Sequence, residues 1–343
     1  MSDKGFFLSS SPHFKAKFDT QKVMAMVLIA LLPECIYGCI IFGIGAVITI
    51  ITSVIGAIGF EALFQKITKQ RIVVKNLSAA VTGVLLALVL PPTAPIWMIL
   101  LGDAVAVIVA KGLFGGLGSN VFNPALTGRA FLFLSFPAAI GAKWIDPVEY
   151  KMGFDGITSA TVLSQVKADT FFADSDTILQ LFLGNRAGCI GETSILLILI
   201  SFVLLLVCRI IDWRAPLTMV GTVAVLTFVT SLGGGIQAAG EAVLLSLLTG
   251  GLIFGATFMI TDYSTAPVTK PGRLIFGAGA GLITFLIRKF GGYPEGVMFS
   301  ILIMNAVAPL LNNFTSRMYG YGKKGNKRPT PMNIENSKGG SNE

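Results

Sequence analysis

The sequence predicts an all-α integral membrane protein of about ten transmembrane helices, arranged as an inverted repeat of five plus five with broken helices and one long external loop. Three observations predict this fold class. Hydrophobic residues make up 53% of the 343 positions and charged residues only 13%, about half the charged share of an ordinary soluble domain. Apolar runs of membrane-spanning length recur along the chain. Short motifs also repeat in the same order in its two halves.

The predicted spans form two groups on either side of a long polar loop. They cover residues 23–43, 44–63, 77–90, 95–112 and 122–140, and then residues 194–211, 216–232, 242–260, 273–288 and 296–311. The chain thus divides into an N-terminal segment 1–22, a first five-helix repeat 23–140, a loop 141–192, a second five-helix repeat 193–311 and a basic tail 312–343. Breaks at 91–95 and 114–116, rich in Pro and Gly, are typical of discontinuous helices that line a buried site.

The basic residues predict the orientation, because Lys and Arg in short loops gather on the cytoplasmic side of a membrane. With both termini in the cytoplasm, 19 of the 26 basic residues lie inside, six lie outside and Arg129 lies within a span. The 65–76 loop holds four basic residues and no acid, whereas the 141–192 loop holds four basic and seven acidic residues. The long loop is therefore predicted to be external, with membrane lipid around the spans.

Three short matches in the same order predict the internal repeat. Thr82-Gly83 recurs as Thr249-Gly250, Thr93-Ala94-Pro95 recurs as Thr265-Ala266-Pro267, and residues 111–116 (KGLFGG) are echoed by residues 288–292 (RKFGG). Because each half holds an odd number of spans, the second copy is turned upside down relative to the first. Chance is the alternative, since Gly, Ala, Thr and Pro are common in membrane helices.

The sequence offers little for metal or nucleic-acid binding. Cys35 and Cys39 lie four apart on one helix face, which could place both on a metal, although thiols also serve as ordinary packing residues. His13, the one histidine, has no second ligand in the sequence, which argues against a histidine metal site. The net charge of +8 sits beside apolar segments, where orientation explains it. We predict neither a metal nor a nucleic-acid partner.

Acidic residues inside the spans are candidates for the path of a transported ion, because a charge in a membrane is costly. Asp103 lies in the middle of a span among Gly and apolar neighbours, and Glu34 follows Pro33 in the first span. Both could serve cation passage, or could pair with Arg129 or a helix end. Glu61 is a weaker candidate, since it could lie near a membrane interface.

The external loop carries a run rich in small and hydroxyl side chains, Thr158-Ser159-Ala160-Thr161, directly after Asp155-Gly156. A Thr hydroxyl beside Ser and Ala is open enough to carry a bulky group, and Asp-Gly favours a tight turn before it. From composition alone, a turn followed by a capped helix start is favoured over a modification site. The aromatic residues of the same loop predict a docked segment.

The run Asp-Gly-x-Thr-Ser-Ala-Thr-x-Leu resembles the flavinylation motif of a family that contains the D subunit of the Rnf complex and the B subunit of the sodium-pumping NADH:quinone oxidoreductase. In that family the last Thr is esterified to the phosphate of FMN. The resemblance implies that Thr161 is the phosphoryl threonine, with Ser159 and Ala160 completing the motif.

A second match is the segment 114–125, FGGLGSNVFNPA, which is similar to the glycine-rich segment of the same family. Val121 stands where many relatives carry Pro. Glycines let a backbone approach a flat ligand closely, which favours Gly115 and Gly116 as flavin contacts, and Asn120 and Asn123 offer amide groups to ring heteroatoms. Close packing between helices is the alternative for each glycine. The resemblance extends over residues 14–314 and includes the late segment 261–267, TDYSTAP.

The resemblance implies a membrane electron-carrying subunit of an ion-translocating ferredoxin:NAD+ oxidoreductase in a bacterial or archaeal cell membrane, with covalent FMN and a second, noncovalent flavin such as riboflavin. The length of the chain favours the Rnf D subunit over the quinone reductase B subunit. The partners implied are the Rnf subunits A, B, C, E and G, since this chain carries no iron-sulfur or nucleotide-binding motif. The rival is a urea-like or ammonium-like channel, which the same repeat would suit. The ion, Na+ or H+, stays open.

Overall fold

The architecture is helical throughout the part of the chain that the computed structural model describes, which is residues 19–141, 144–145, 158–159, 175–184, 187–292 and 295–319. One pair of two-residue strands is the exception there. In the first half, the helices are α1 (Thr20–Phe42), α2 (Ile44–Ile67), α3 (Ser78–Leu88), α4 (Ile96–Ala104), α5 (Pro124–Ser135) and α6 (Pro137–Ile140). A π-helical segment, Val105–Gly112, extends α4, and a 3-10 turn, Val74–Asn76, precedes α3.

The described part of the second half is also helical. Its helices are α7 (Ser175–Leu183), α8 (Ile195–Val207), α9 (Arg214–Ser231), α10 (Ile236–Leu248), α11 (Leu252–Phe254), α12 (Lys270–Phe290) and α13 (Val297–Tyr319). A second π-helical segment, Gly255–Met259, continues α11. The 3-10 turns Ile190–Glu192 and Leu232–Gly234 precede α8 and follow α9.

Membrane-spanning length is reached by four of the described helices: Thr20–Phe42, Ile44–Ile67, Arg214–Gly234 and Val297–Thr315. The pair formed by Ile236–Leu248 and Leu252–Met259 makes a fifth if its 61° bend is counted within one span. The protein is therefore a multi-pass membrane protein. Several predicted spans are shorter in the structure, as with the 11-residue α3, and the region 122–140 is divided into α5 and α6 at Phe136 because Pro137 starts a new helix. Ten crossings stay a prediction.

Helix α1 shows the inside-out pattern of a helix in lipid. Its exposed face carries large aliphatic side chains, with Ile36 and Ile40 both more than half exposed. Its opposite face is buried and includes Glu34, which is only 2% exposed, and Gly38. In water the apolar stripe would face inward and the acid outward. The observed reversal fits a surrounding hydrocarbon phase with the polar side chain kept inside the bundle.

Glycines bring the helices close enough for backbones to touch. On α12, Gly277 and Gly281 are one turn apart. A Cβ added at Gly277 would lie 2.3 Å from the Ala215 carbonyl oxygen, and one added at Gly281 would lie 2.5 Å from the Met219 carbonyl oxygen. In the first half, a Cβ at Gly83 would lie 2.7 Å from the Ser53 carbonyl oxygen. Small residues at such spacing permit the close contact that drives helix association in membranes.

Only part of the predicted external loop is described. Trp144–Ile145 and Thr158–Ser159 form the antiparallel strands β1 and β2, with Trp144 opposite Ser159 and Ile145 opposite Thr158. The hydroxyl-rich run therefore begins on a strand paired with the start of the loop. Ala160 and Thr161, the rest of the predicted flavin-attachment motif, lie outside the described residues.

Candidate functional site

Two π-helical segments end just before the two loops that carry the sequence motifs. The first π-helical segment ends at Gly112, directly before the glycine-rich segment, and the second ends at Met259, directly before the segment 261–267. At each end a backbone N–H bonds five residues back, from Leu113 to the Ile108 carbonyl oxygen and from Ile260 to that of Gly255, both at 2.9 Å. Such π-helical turns are frequent at functional sites. Neither was apparent from the sequence.

The two motif loops meet at one cleft inside the helix bundle. Its empty volume, including the part that opens outward, is about 760 Å³. The lining residues come from α1, α3, the start of α5, α8 with the loop after it, the ends of both π-helical segments and both motif loops: Met24, Val27, Ser78, Val81, Thr82, Leu85, Lys111, Leu117, Asn120, Asn123, Pro124, Ala125, Leu205, Ile210, Ile211, Phe258, Thr261, Asp262, Tyr263 and Ser264. Most of the wall is apolar, and its polar side chains cluster where the loops meet, which is the usual composition of a small-molecule site.

Asn123 lines the cleft, but its side chain makes hydrogen bonds within the protein that stabilise the fold. Its Oδ1 accepts a hydrogen bond from the Leu126 N–H at 3.2 Å and so caps the start of α5. Its Nδ2 donates to the carbonyl oxygen of Met259 at 3.1 Å. The residue is 2% exposed. Asn123 therefore joins the glycine-rich segment to the second π-helical segment, and any flavin contact would use its remaining N–H.

Asn120 is the other predicted amide, and it also reaches the cleft. Its Nδ2 donates to the Phe122 carbonyl oxygen at 3.2 Å, and its side chain lies beside the Asp262 carboxylate, close enough to interact with it. Asp262 in turn accepts from the Thr265 hydroxyl at 3.2 Å. The structure thus brings one residue of each motif loop into direct contact. Sequence reasoning had not singled out Asp262.

Three glycines of the first motif adopt backbone conformations that favour glycine. Gly115, Gly116 and Gly118 have φ values of 108°, 93° and 90°, a region that side-chain-bearing L-residues rarely adopt. A Cβ at Gly116 would meet no atom within 4 Å. Gly115 and Gly116 are absent from the cleft lining, so the predicted flavin contact of these two glycines stays a prediction.

Lys111 forms a buried ion pair at the edge of the cleft. Its Nζ lies 3.0 Å from both carboxylate oxygens of Glu61 and 2.7 Å from the Ser78 hydroxyl. These contacts use all three ammonium hydrogens. The Lys111 and Glu61 side chains are 4% and 7% exposed. Glu61 is therefore a partner of Lys111 inside the bundle, and its position near a membrane interface stays a prediction. A lysine in an apolar run was the signal that could have identified Lys111.

Comparison with known proteins agrees with these motifs. The sequence model of the NQR2, RnfD, RnfE family matches residues 7–320. The chain belongs to this family. The resemblance seen in the sequence is thereby confirmed, over nearly the whole chain.

Named relatives are similar over almost their full lengths. The D subunit of the proton-translocating ferredoxin:NAD(+) oxidoreductase complex of Clostridium ljungdahlii is 41% identical over 317 residues, which are 90% of this chain and 94% of that protein. The D subunit of the Na(+)-translocating ferredoxin:NAD(+) oxidoreductase complex of Acetobacterium woodii is 40% identical, over 94% of this chain and 98% of that protein. The D subunit of the ion-translocating oxidoreductase complex of Escherichia fergusonii is 37% identical, over 93% and 99%.

This NQR2, RnfD, RnfE family member has a second buried charge cluster, at the bend between α10 and α11. Arg129 on α5 reaches Glu192 at 3.1 Å and Glu295 at 3.0 Å. Glu295 also accepts from the Gly251 N–H at 2.9 Å. Arg288 donates to the Ser246 carbonyl oxygen at 2.6 Å. The helix that ends at the bend is thus capped by a cation and the one that begins there by an anion, as the helix dipole favours.

Asp103 and Glu34, the predicted ion-path residues, lie away from the cleft. Asp103 is 0% exposed, and its Oδ1 lies 2.8 Å from the Ser53 Oγ. Neither carboxylate oxygen of Glu34 has a hydrogen-bond partner among the described residues. The alternative that either acid pairs with Arg129 is wrong, because the ion pairs of Arg129 are with Glu192 and Glu295.

A surface ion network closes the loop between α8 and α9. Asp212 Oδ2 accepts from the guanidinium groups of Arg214 and Arg273, each at 2.7 Å. Burial alone would raise the pKa of the Asp212 carboxyl, but hydrogen bonds from the Arg214 backbone and from the two guanidinium groups outweigh it and hold that pKa below its usual range. The network fixes the segment that contributes Ile210 and Ile211 to the cleft.

Proposed function

We propose that this chain is the membrane electron-carrying subunit of an ion-translocating ferredoxin:NAD+ oxidoreductase, equivalent to the D subunit of the Rnf complex. Membership of the family and the names of its relatives support the assignment. The observation that carries it is the convergence of both family motifs on one cleft, through the contact of Asn120 with Asp262. Its partners would be the Rnf subunits A, B, C, E and G, which supply the redox groups that accept electrons from ferredoxin.

FMN esterified to Thr161 is the first cofactor that we propose. Bound there, it would supply the electron-transfer chemistry, while the protein supplies position and electrostatics. Thr158–Ser159, two residues before it, are paired with Trp144–Ile145. A strand pair at this point would hold the attachment site against the start of the loop, with Ser159 and Ala160 presenting the Thr161 hydroxyl to a flavin transferase.

We propose that the cleft holds a second, noncovalent flavin such as riboflavin. A flavin is a flat, largely apolar ring system with heteroatoms along its edge, and the wall of the cleft is largely apolar with a cluster of polar side chains at one place. Asn120 and Asp262 would present polar atoms to the ring edge, whereas the ammonium hydrogens of Lys111 are already engaged by Glu61 and Ser78. Asn123 would contribute less, because its Oδ1 and one N–H are already engaged.

The inverted repeat and the external loop belong to the same proposal. Lys111, near the end of the fourth predicted span, donates to Ser78 at the start of α3. Arg288, near the end of the ninth, donates to the Thr249 carbonyl oxygen at 3.3 Å, just before α11. Lys111 and Arg288, which open the repeated motifs KGLFGG and RKFGG, thus each hydrogen bond to a neighbouring helix or its end, which supports a repeat. With both termini in the cytoplasm of a bacterial or archaeal cell, Thr161 would lie on the outer face.

Intact-protein mass spectrometry tests the proposal on chain expressed with a working flavin transferase. We expect one FMN per wild-type chain, none in Thr161→Ala, and full loading in Thr170→Ala, the matched control that removes a threonine hydroxyl of the same loop outside the motif. Denatured, electrophoresed wild-type protein should fluoresce as a flavin. A wild-type mass equal to that of the bare chain would reject the proposal and favour a channel, which has no use for a flavinylated loop.

A further inference from the structure

Asp103 lies where helices α2, α3 and α4 meet. Its side chain is fully buried, and its Oδ2 has no hydrogen-bond partner among the described residues. Its Oδ1 lies 2.8 Å from the Ser53 Oγ, and that same Oγ lies 2.8 Å from the Gly83 carbonyl oxygen. Ser53 is also fully buried. The three groups form a short chain of oxygen atoms that crosses from α4 to α3 through α2.

The number of hydrogens available decides whether the ionised or the protonated form of Asp103 fits these two oxygen–oxygen contacts. A Ser hydroxyl has one hydrogen to donate, and a carbonyl oxygen has none. If Asp103 were ionised, Ser53 could satisfy either the carboxylate or the Gly83 carbonyl oxygen, and the other 2.8 Å contact would press two acceptors together. If Asp103 carries a proton on Oδ1, it donates to Ser53 Oγ and Ser53 donates to Gly83. Only the protonated form therefore satisfies both contacts.

We infer that Asp103 is a neutral carboxylic acid, hydrogen-bonded through Ser53 to the Gly83 carbonyl oxygen, and that it is a proton-binding site within the helix bundle. An ionised carboxylate buried without a partner is so costly that such groups neutralise instead. The protonated form leaves one uncharged carbonyl oxygen, Oδ2, without a partner, which is a much smaller penalty than that of an unpaired charge.

No charged group of the packed helices compensates Asp103. Helix α3 has no charged residue. On α2, Glu61 pairs with Lys111, which lies beyond α4 on the first π-helical segment; Lys66 is exposed at the end of α2. On α5, Arg129 pairs with Glu192 and Glu295. Each cation on these elements thus has its own acid or faces outward.

The packing also disfavours a bound metal cation as the neutralising group. A Cβ added at Gly56 would lie 2.7 Å from Asp103 Oδ2 and 2.8 Å from a Leu100 methyl carbon. The α2 backbone therefore approaches the carboxyl group closely. The oxygen atoms in contact here are those of Asp103, Ser53 and Gly83, fewer than the about six or more that a hard cation such as Ca²⁺ takes. A proton needs no such set of ligands.

This inference builds on the proposed function by addressing which ion is transported, and it does not depend on FMN. Two relatives of nearly equal identity carry names with different ions, a proton in one and Na+ in the other. Overall similarity therefore does not choose between them. The Asp103 site takes up a proton whether or not the chain carries a flavin. A negative result for FMN would therefore leave the Asp103 inference standing, and a negative result for Asp103 would leave the FMN proposal standing.

Infrared spectroscopy of the full-length chain in lipid at neutral pH tests the inference. We expect the difference between wild type and Asp103→Asn to contain the carbonyl stretch of one protonated carboxylic acid per chain. Glu34→Gln is the matched control, because it removes another buried acid and should leave the Asp103 band in place. A difference spectrum with carboxylate bands in place of the acid carbonyl band would overturn the inference.

The hydrogen-bonded arrangement has its own test in Ser53→Ala. Removing the hydroxyl takes away the acceptor of the acid proton, so the Asp103 carbonyl band should persist and shift in frequency. An unshifted band would show that the proton does not lie on the oxygen facing Ser53. Asp103→Asn should fold, because its Nδ2–H can replace the acid O–H toward Ser53. If it does not fold, the Ser53→Ala shift alone decides the outcome.

Discussion

Asn123 Nδ2 donates a hydrogen bond of 3.1 Å to the carbonyl oxygen of Met259, a residue 136 positions away. Met259 is the last residue of the second π-helical segment, and Asn123 is the N-cap of α5. One side chain thus ties the glycine-rich segment of the first half to the widened helix end of the second half. The cleft exists because these two elements are held side by side.

Two substitutions at Asn123 separate its two contacts. Asn123→Ser keeps an oxygen that can cap α5 but cannot reach Met259, so we expect a loss of about 0.5–1.5 kcal/mol in unfolding free energy. Asn123→Ala loses the cap as well, which costs about 1 kcal/mol more. Thermal unfolding in detergent measures both. Equal stability of Asn123→Ser and wild type would mean that the bond to Met259 contributes nothing.

The glycines of the first motif are predicted to be required for their backbone conformation. Gly116→Ala should destabilise the protein by about 1–2 kcal/mol through its positive φ, although an added Cβ meets no atom within 4 Å. Gly59→Ala is the matched control: its Cβ is equally free, but it lies within α2, where alanine is favoured by about 0.5–1 kcal/mol. Opposite changes in melting temperature are expected; a neutral Gly116→Ala would contradict the conformational explanation.

The Lys111–Glu61 pair should depend on both charges being present. Lys111→Met leaves the Glu61 carboxylate buried without a partner, which typically costs about 3–5 kcal/mol. Adding Glu61→Gln removes that charge, so the double variant should recover most of the lost stability. Denaturant unfolding of the two single variants and the double variant forms the test. Additive losses would show that the two side chains are not coupled.

Cysteine-accessibility labelling in intact cells checks the orientation. A tag at position 165 should react with a membrane-impermeant reagent from outside, and tags at positions 70 and 325 should react only after the membrane is opened. The basic residues of the 65–76 loop and of the tail are the reason for this expectation. External labelling at position 70 would reject this orientation.

The sequence by itself determined the membrane class, the positions of the longest helices and the family. The predicted spans 23–43 and 44–63 correspond to Thr20–Phe42 and Ile44–Ile67 within a few residues. These features depend on composition and on local hydrogen bonding within one helix, which are properties of neighbouring residues. The glycine-rich segment was recognisable for the same reason, because it is contiguous in the chain.

Only the tertiary structure decided which residues meet. Glu61 and Lys111 are 50 positions apart, and Arg129 and Glu295 are 166 apart, so no local pattern pairs them. The sequence offered Arg129 as one partner for Asp103, but helix packing directs it to Glu192 and Glu295. The positive φ angles of Gly115 and Gly116 are likewise visible only in the folded chain, while their contact with a flavin stays a prediction. Buried polar groups must be satisfied wherever the packed helices bring a partner, and that requirement is met only in three dimensions.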